Sequence, residues 1–285
     1  MNASWSHFTE APLYDEHLLL GGIFEGEDPL LATPIRYGDA SGEHEAFAEG
    51  CALCDLSGMT GILVSGPGSD AFVTASCACE ALAVGECGFG AVVTGDGSLA
   101  SVPLIARTGE REYLIWDASE RGLMLQPWLG FLRDIEQDGF KPFGEVSIED
   151  VSDALVPLLL WGPKAREVLS DYVTDASPLP AAGCIRNVRL DRIECLVAAP
   201  SGPRHDCLLV MTPPAAARAL WRSFLSFTQV SPVGSASLAL RATSELPWMD
   251  AVLGAERLEL ALEQLLAWRR ARPEGGFVGH RALLN

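Results

Sequence analysis

Cys51-x-x-Cys54 and Cys77-x-Cys79 are the residues whose type and spacing first suggest chemistry, because four thiolates can hold a tetrahedral zinc ion. Free cysteine is also among the most buried residue types, and both pairs stand beside core-like segments, so apolar packing is the reading adopted. The five histidines are scattered without ligand spacing and read as surface or capping residues. No G-x-S-x-G nucleophile elbow, phosphate-binding loop or dinucleotide fingerprint occurs in the chain.

The elements that must position any site follow from periodicity and turn residues. Helices are predicted over residues 13–22, 41–52, 69–76, 120–138, 163–172, 215–226 and 254–272, with Ser41 and Ser69 as N-caps. Strand-like runs cover 61–64, 91–94, 102–107, 113–116, 145–150, 155–160, 188–198, 207–211 and 238–241. Gly95-Asp96-Gly97-Ser98 has hairpin-turn chemistry and would join 91–94 to 102–107. Helices alternate with strands, but hairpins interrupt them. That predicts an α+β fold with antiparallel or mixed sheets rather than a doubly wound parallel sheet.

A length of 285 residues suggests about two compact units. No clean linker separates them, so the subdomains should interleave: 1–55 with 145–250 as the first, 56–144 as the second, and 251–285 as a C-terminal helix and tail. The net charge of −18, with lysine only at Lys141 and Lys164, excludes a nucleic-acid partner and an anionic membrane surface. No apolar run approaches the roughly 20 residues of a spanning helix. The first ten residues lack the basic and apolar regions of a signal peptide. Eight cysteines without such a signal read as reduced thiols, which places the protein in the cytoplasm.

Five short stretches, in order, carry a family resemblance. They are Pro12-Leu13-Tyr14-Asp15-Glu16-His17; Thr33-Pro34-Ile35-Arg36-Tyr37-Gly38; Cys54-Asp55-Leu56-Ser57-Gly58-Met59 with Gly66-Pro67; Leu160-Trp161-Gly162-Pro163; and Phe277-Val278-Gly279-His280-Arg281-Ala282-Leu283. Together the chain resembles the glycine-cleavage T-protein (aminomethyltransferase) family from residue 12 to 283. The resemblance implies a folate-binding core of two interleaved α/β subdomains with the ligand between them, and no C-terminal β-barrel. Shortened folate-binding proteins of iron–sulfur maintenance are also similar, but their signature Cys falls two residues after a Lys, where this chain has Glu274 and Gly276.

What the family implies for individual residues is mixed. Its acidic pair, which serves the reacting folate nitrogen, falls on Ser101 and Val102, neither of which carries charge at neutral pH. Its pterin-binding Glu falls on Cys207, with Asp206 adjacent. Met59, Phe89, Asp117 and Arg241 match ligand-lining positions, although Met59 and Phe89 also suit a core and Arg241 also suits a pair with Glu245. The implied ligand is tetrahydrofolate or a derivative. Two functions stay open: a one-carbon transferase (aminomethyl or methyl) divergent at the acid pair, and a non-catalytic folate-binding or assembly protein. The family's lipoyl carrier partner is usually acidic and would be repelled by a chain at −18, unless its arginines cluster locally. A homodimer or a partner subunit is compatible with the acidic surface.

Overall fold

A computed structural model of the chain describes residues 11–25, 33–174, 178–253 and 260–284. The order begins α1 (Tyr14–Leu19), α2 (Ala40–Glu49), β1 (Cys51–Asp55), β2 (Thr60–Ser65), α3 (Ser69–Ser76) and β3 (Cys87–Phe89). It continues β4 (Val92–Val93), β5 (Leu99–Ser101), β6 (Leu104–Gly109), β7 (Glu112–Asp117), α4 (Gly122–Arg133) and β8 (Ser147–Asp150). Then come β9 (Val156–Trp161), α5 (Ala165–Ser170), β10 (Cys184–Leu190), β11 (Ile193–Ala199) and β12 (Cys207–Thr212). The last are α6 (Pro214–Phe224), β13 (Val230–Pro232), α7 (Ser235–Glu245), α8 (Met249–Leu253), α9 (Leu262–Ala267) and a 3₁₀ turn, Ala282–Leu284.

These elements form two compact units: residues 1–58 with 152–246, and residues 59–151 with 247–285. The first unit is built on a six-stranded sheet of order β10-β11-β12-β9-β1-β13. All its pairings are antiparallel except β1 with β13, so the sheet is mixed. One face carries Leu53, Leu158, Leu160, Leu208 and Val210 into a core closed by Leu169 of α5 and Trp221 and Phe224 of α6. The second unit has an antiparallel sheet of order β3-β6-β7-β2-β8. Phe72 and Val73 of α3 and Leu125, Leu129 and Leu132 of α4 pack with Ile62, Val64, Ile105 and Ile115. Both sheets are open, as the α+β reading requires.

Several local expectations are corrected. The run 238–241 is not a strand but the middle of α7. Its Ala, Leu and Arg are good helix formers, and the first N–H groups of the helix are satisfied by carbonyls of Pro34 and Ile35. The predicted helix 41–52 begins after Asp39, whose side chain accepts from Gly42 N (2.8 Å), and it ends at Glu49 so that residues 51–55 can enter the sheet. Ser41 is therefore not the cap. Nor is Ser69, which is the first residue of α3 behind Gly68.

The turn at 95–98 joins β4 to β5, not to residues 102–107. Pro103 cannot donate to a ladder, and beyond it β6 pairs with β3 and β7 instead. The single run 188–198 is two strands, β10 and β11, reversing at Asp191 in the left-handed region (φ 53°). The helix predicted over 120–138 stops at Arg133, before a tight turn at Asp138-Gly139. Of the predicted helix 254–272, residues 254–259 lie outside the described residues and Leu262–Ala267 is helical.

Candidate functional site

Two buried aspartates, one in each unit, make the same D-x-S turn. In the first, Asp55 at the end of β1 accepts from Ser57 N (2.9 Å) and Ser57 Oγ (2.6 Å) through Oδ1. In the second, Asp117 at the end of β7 accepts from Ser119 N (2.8 Å) and Ser119 Oγ (2.7 Å) through Oδ1. A short Asx-type turn of this kind fixes the carboxylate against its own backbone. Both aspartates are buried, at 7% and 5% exposure, so the second oxygen also needs a donor.

The donors differ. Asp55 Oδ2 faces His17 Nε2 at 2.9 Å, and His17 Nδ1 lies 2.6 Å from the Tyr37 hydroxyl. His17 is fully buried, edge-on to Trp221 at 5.1 Å, which corrects its reading as a surface or capping residue. Burial, and then Asp55, pushes the Tyr37 hydroxyl well above its ordinary range. Asp117 Oδ2 instead accepts from Ser101 Oγ on β5. Ser101 is fully buried, and Val102 beside it is buried as well.

Of the residues singled out by sequence, the second unit holds Met59, Phe89, Ser101, Val102 and Asp117, and joins Ser101 directly to Asp117. Phe89 on β3 is half-buried and packs against Trp248, with ring centroids 5.2 Å apart. Arg270 lies 4.1 Å over the Trp248 ring and donates to the carbonyls of Trp268 and Phe89. Burial, then Arg269, holds its guanidinium below the usual value. Arg121 donates to the carbonyls of Leu99 and Val252, bracing the strand that carries Ser101.

Asp206, Cys207 and Arg241 lie in the first unit. Asp206 pairs with Arg166 (2.9 Å) through Oδ1. Cys207 opens β12 opposite Trp161, and its thiol is pushed far up by burial and then by Glu245 and Asp206. Arg241 pairs with Glu245 at 2.5 Å, one helical turn on, and lies over the rings of Phe47 and Trp161. All eight cysteines are free thiols, and among the described residues no group of three or more His, Cys, Asp or Glu is placed to hold a metal ion.

Residues 13–250 match the family model described as the GCVT N-terminal domain. The chain belongs to this family. An aminomethyltransferase of Saccharopolyspora erythraea is 28% identical over 243 residues, covering 83% of this chain and 63% of the relative. An aminomethyltransferase of Listeria monocytogenes is 23% identical over 283 residues, covering 96% and 73%. The solved structure of the glycine cleavage system aminomethyltransferase T from Bartonella henselae superposes with a TM-score of 0.74 at 20% identity, covering 96% of this chain and 73% of that one. The likeness to that structure is one of fold. The chain spans 63% and 73% of the lengths of the two curated relatives.

Within the GCVT N-terminal domain family, the D-L-S motif used above now has a physical meaning: it is the Asx turn at Asp55. Reasoning on sequence did not single out Ser119, Trp248, Arg270 or the His17–Tyr37 contact. D-x-S also occurs at 39–41, 96–98, 150–152 and 175–177, so the pattern by itself does not mark Ser119. Nothing local marks Trp248, which meets Phe89 from 159 residues away in sequence.

Proposed function

We propose that the chain binds a tetrahydrofolate and acts in one-carbon transfer, with Asp117 supplying the carboxylate that the family's acid pair would supply at Ser101 and Val102. Family membership supports the ligand class. The observation that carries the reading is the hydrogen bond from Ser101 Oγ to Asp117 Oδ2. A residue at the expected acid position thereby touches a buried carboxylate from the neighbouring β7. A carboxylate held there, with no water shell to reorganise, would orient an amine and stabilise positive charge developing on it. Serine alone would do neither.

Titration calorimetry of the chain with tetrahydrofolate and with 5-methyltetrahydrofolate under reducing conditions tests this. Micromolar binding that weakens about tenfold or more in Asp117→Asn is the expected result, the size following from loss of a charged hydrogen bond. No heat with either folate would overturn the ligand assignment. The transferred group, aminomethyl or methyl, follows from which donor then turns over.

A second reading is favoured by Val102, an apolar residue 5% exposed at the other acid position. On that reading the chain binds folate without turning it over. Tight binding with no transfer from any one-carbon donor would select it. Either function is consistent with a homodimer or a partner subunit, and eight free thiols support a reducing, cytoplasmic setting as part of the proposal.

A further inference from the structure

Helix α4 is apolar on both of its faces, which is the pattern of a helix covered all round. Leu125, Leu129 and Leu132 face the core of the second unit. On the other side Leu123 is 50% exposed, Met124 64% and Phe131 60%, with exposed Pro127 between them and Trp128 stacked on Phe131 at 5.5 Å. At about 100° per residue, positions 123, 127, 131, 124 and 128 fall within an arc of about 140°, one continuous stripe. Beyond the helix a rigid turn extends the same character. Gln137 and Phe140 exchange backbone hydrogen bonds (2.8 and 2.9 Å) across Asp138 and Gly139, both at positive φ, and Phe140 is left 68% exposed.

Charge decides what kind of surface this stripe accepts. Arg133 and Lys141 both pair with Asp134. Arg121 is turned inward onto carbonyls. Glu120, Glu136 and Asp138 are exposed around the stripe, and among the described residues none of them has a cation within ion-pair distance. A second copy joined across a two-fold axis would bring two net-acidic patches together, in a chain already at −18. A cationic partner meets the opposite sign at Glu120, Glu136 and Asp138, while Arg133 and Lys141 are already paired with Asp134.

The geometry points to a docking surface on α4 and the Asp138-Gly139 turn for an amphipathic helix of another protein, apolar on one face and flanked by Lys and Arg. Phe131 is the aromatic anchor of this surface, backed by Trp128, which is half-buried against the core of the second unit. The surface lies wholly within the second unit and does not depend on folate binding.

The test uses the full chain and two synthetic helical peptides sharing one Leu/Phe face, flanked either by Lys or by Glu, followed by fluorescence anisotropy. The Lys-flanked peptide is expected to bind about tenfold or more tightly than the Glu-flanked one at about 50 mM salt, and to lose that advantage as salt rises. The double variant Met124→Glu with Phe131→Glu should abolish binding with an unchanged melting temperature, whereas Leu19→Glu, on an exposed face of α1, should leave binding intact. Equal binding of the two peptides, or binding indifferent to the double variant, overturns the proposal. So does a dimer in sedimentation that the double variant dissociates, since the occupant would then be a second copy.

Discussion

Asp55 and Asp117 make the same turn in different units, each holding its own following serine through Oδ1, yet one presents its second oxygen to His17 and the other to Ser101. An identical local device thus serves two ends. Asp55 ties α1 and Tyr37 to the end of β1, whereas Asp117 ties the end of β7 to Ser101 of β5.

Ser101→Ala removes one donor from a carboxylate 5% exposed. Destabilisation of about 1–3 kcal/mol is expected from the unsatisfied acceptor. Urea denaturation measures it, and a change below a few tenths would show that water replaces the hydroxyl at no cost.

Arg241 and Glu245 form a pair whose side chains are 11% and 9% exposed, with Glu245 also accepting from Arg204 N (2.7 Å). Removing only the cation, as in Arg241→Met, should cost about 3–5 kcal/mol because a carboxylate is stranded. The double replacement Arg241→Met/Glu245→Met should recover most of that loss. Denaturation of the two variants side by side decides the matter; equal losses would mean that packing on Phe47 and Trp161, not charge, dominates.

Burial of the thiols predicts a loss of stability at alkaline pH. Burial raises Cys51 from 9.0 to about 12, and Cys79 and Cys195 to about 11. The unfolded chain would release these protons from about pH 9 while the folded chain keeps them, so stability should be unaffected below pH 9 and fall between pH 9 and 12. Each thiol contributes up to about 1.4 kcal/mol per pH unit in that window. Melting temperature against pH reads the effect, and Cys51→Ala should flatten part of the slope.

Gly162, at φ 145°, lies where an added Cβ would stand 2.5 Å from the Gly50 carbonyl oxygen. Gly162→Ala must push apart two main-chain segments, and it is strained by its φ besides. A loss of about 2 kcal/mol or more is expected on thermal denaturation. A neutral variant would show that the turn from β9 into α5 can relax.

Much of this was legible along the chain. Turn residues and apolar runs marked most elements, and Gly-Pro and D-L-S segments marked the turns, because such signals depend on neighbours within a few positions. The reading of 238–241 as a strand failed because α7 takes its N-terminal partners from Pro34 and Ile35, some 200 residues earlier. The reading of His17 failed for a similar reason: its partners are Asp55, Tyr37 and Trp221.

The sequence by itself determined the α+β class, the acidic surface, the family and the absence of charge at Ser101 and Val102. Only the tertiary structure decided that a carboxylate nonetheless stands beside Ser101, that Asp206 pairs with Arg166, and that Leu123, Met124 and Phe131 of α4 are exposed. The difference is physical. Composition and local pattern set what each residue can do, whereas which donor reaches a buried oxygen is settled by strand register and packing between residues far apart in the chain.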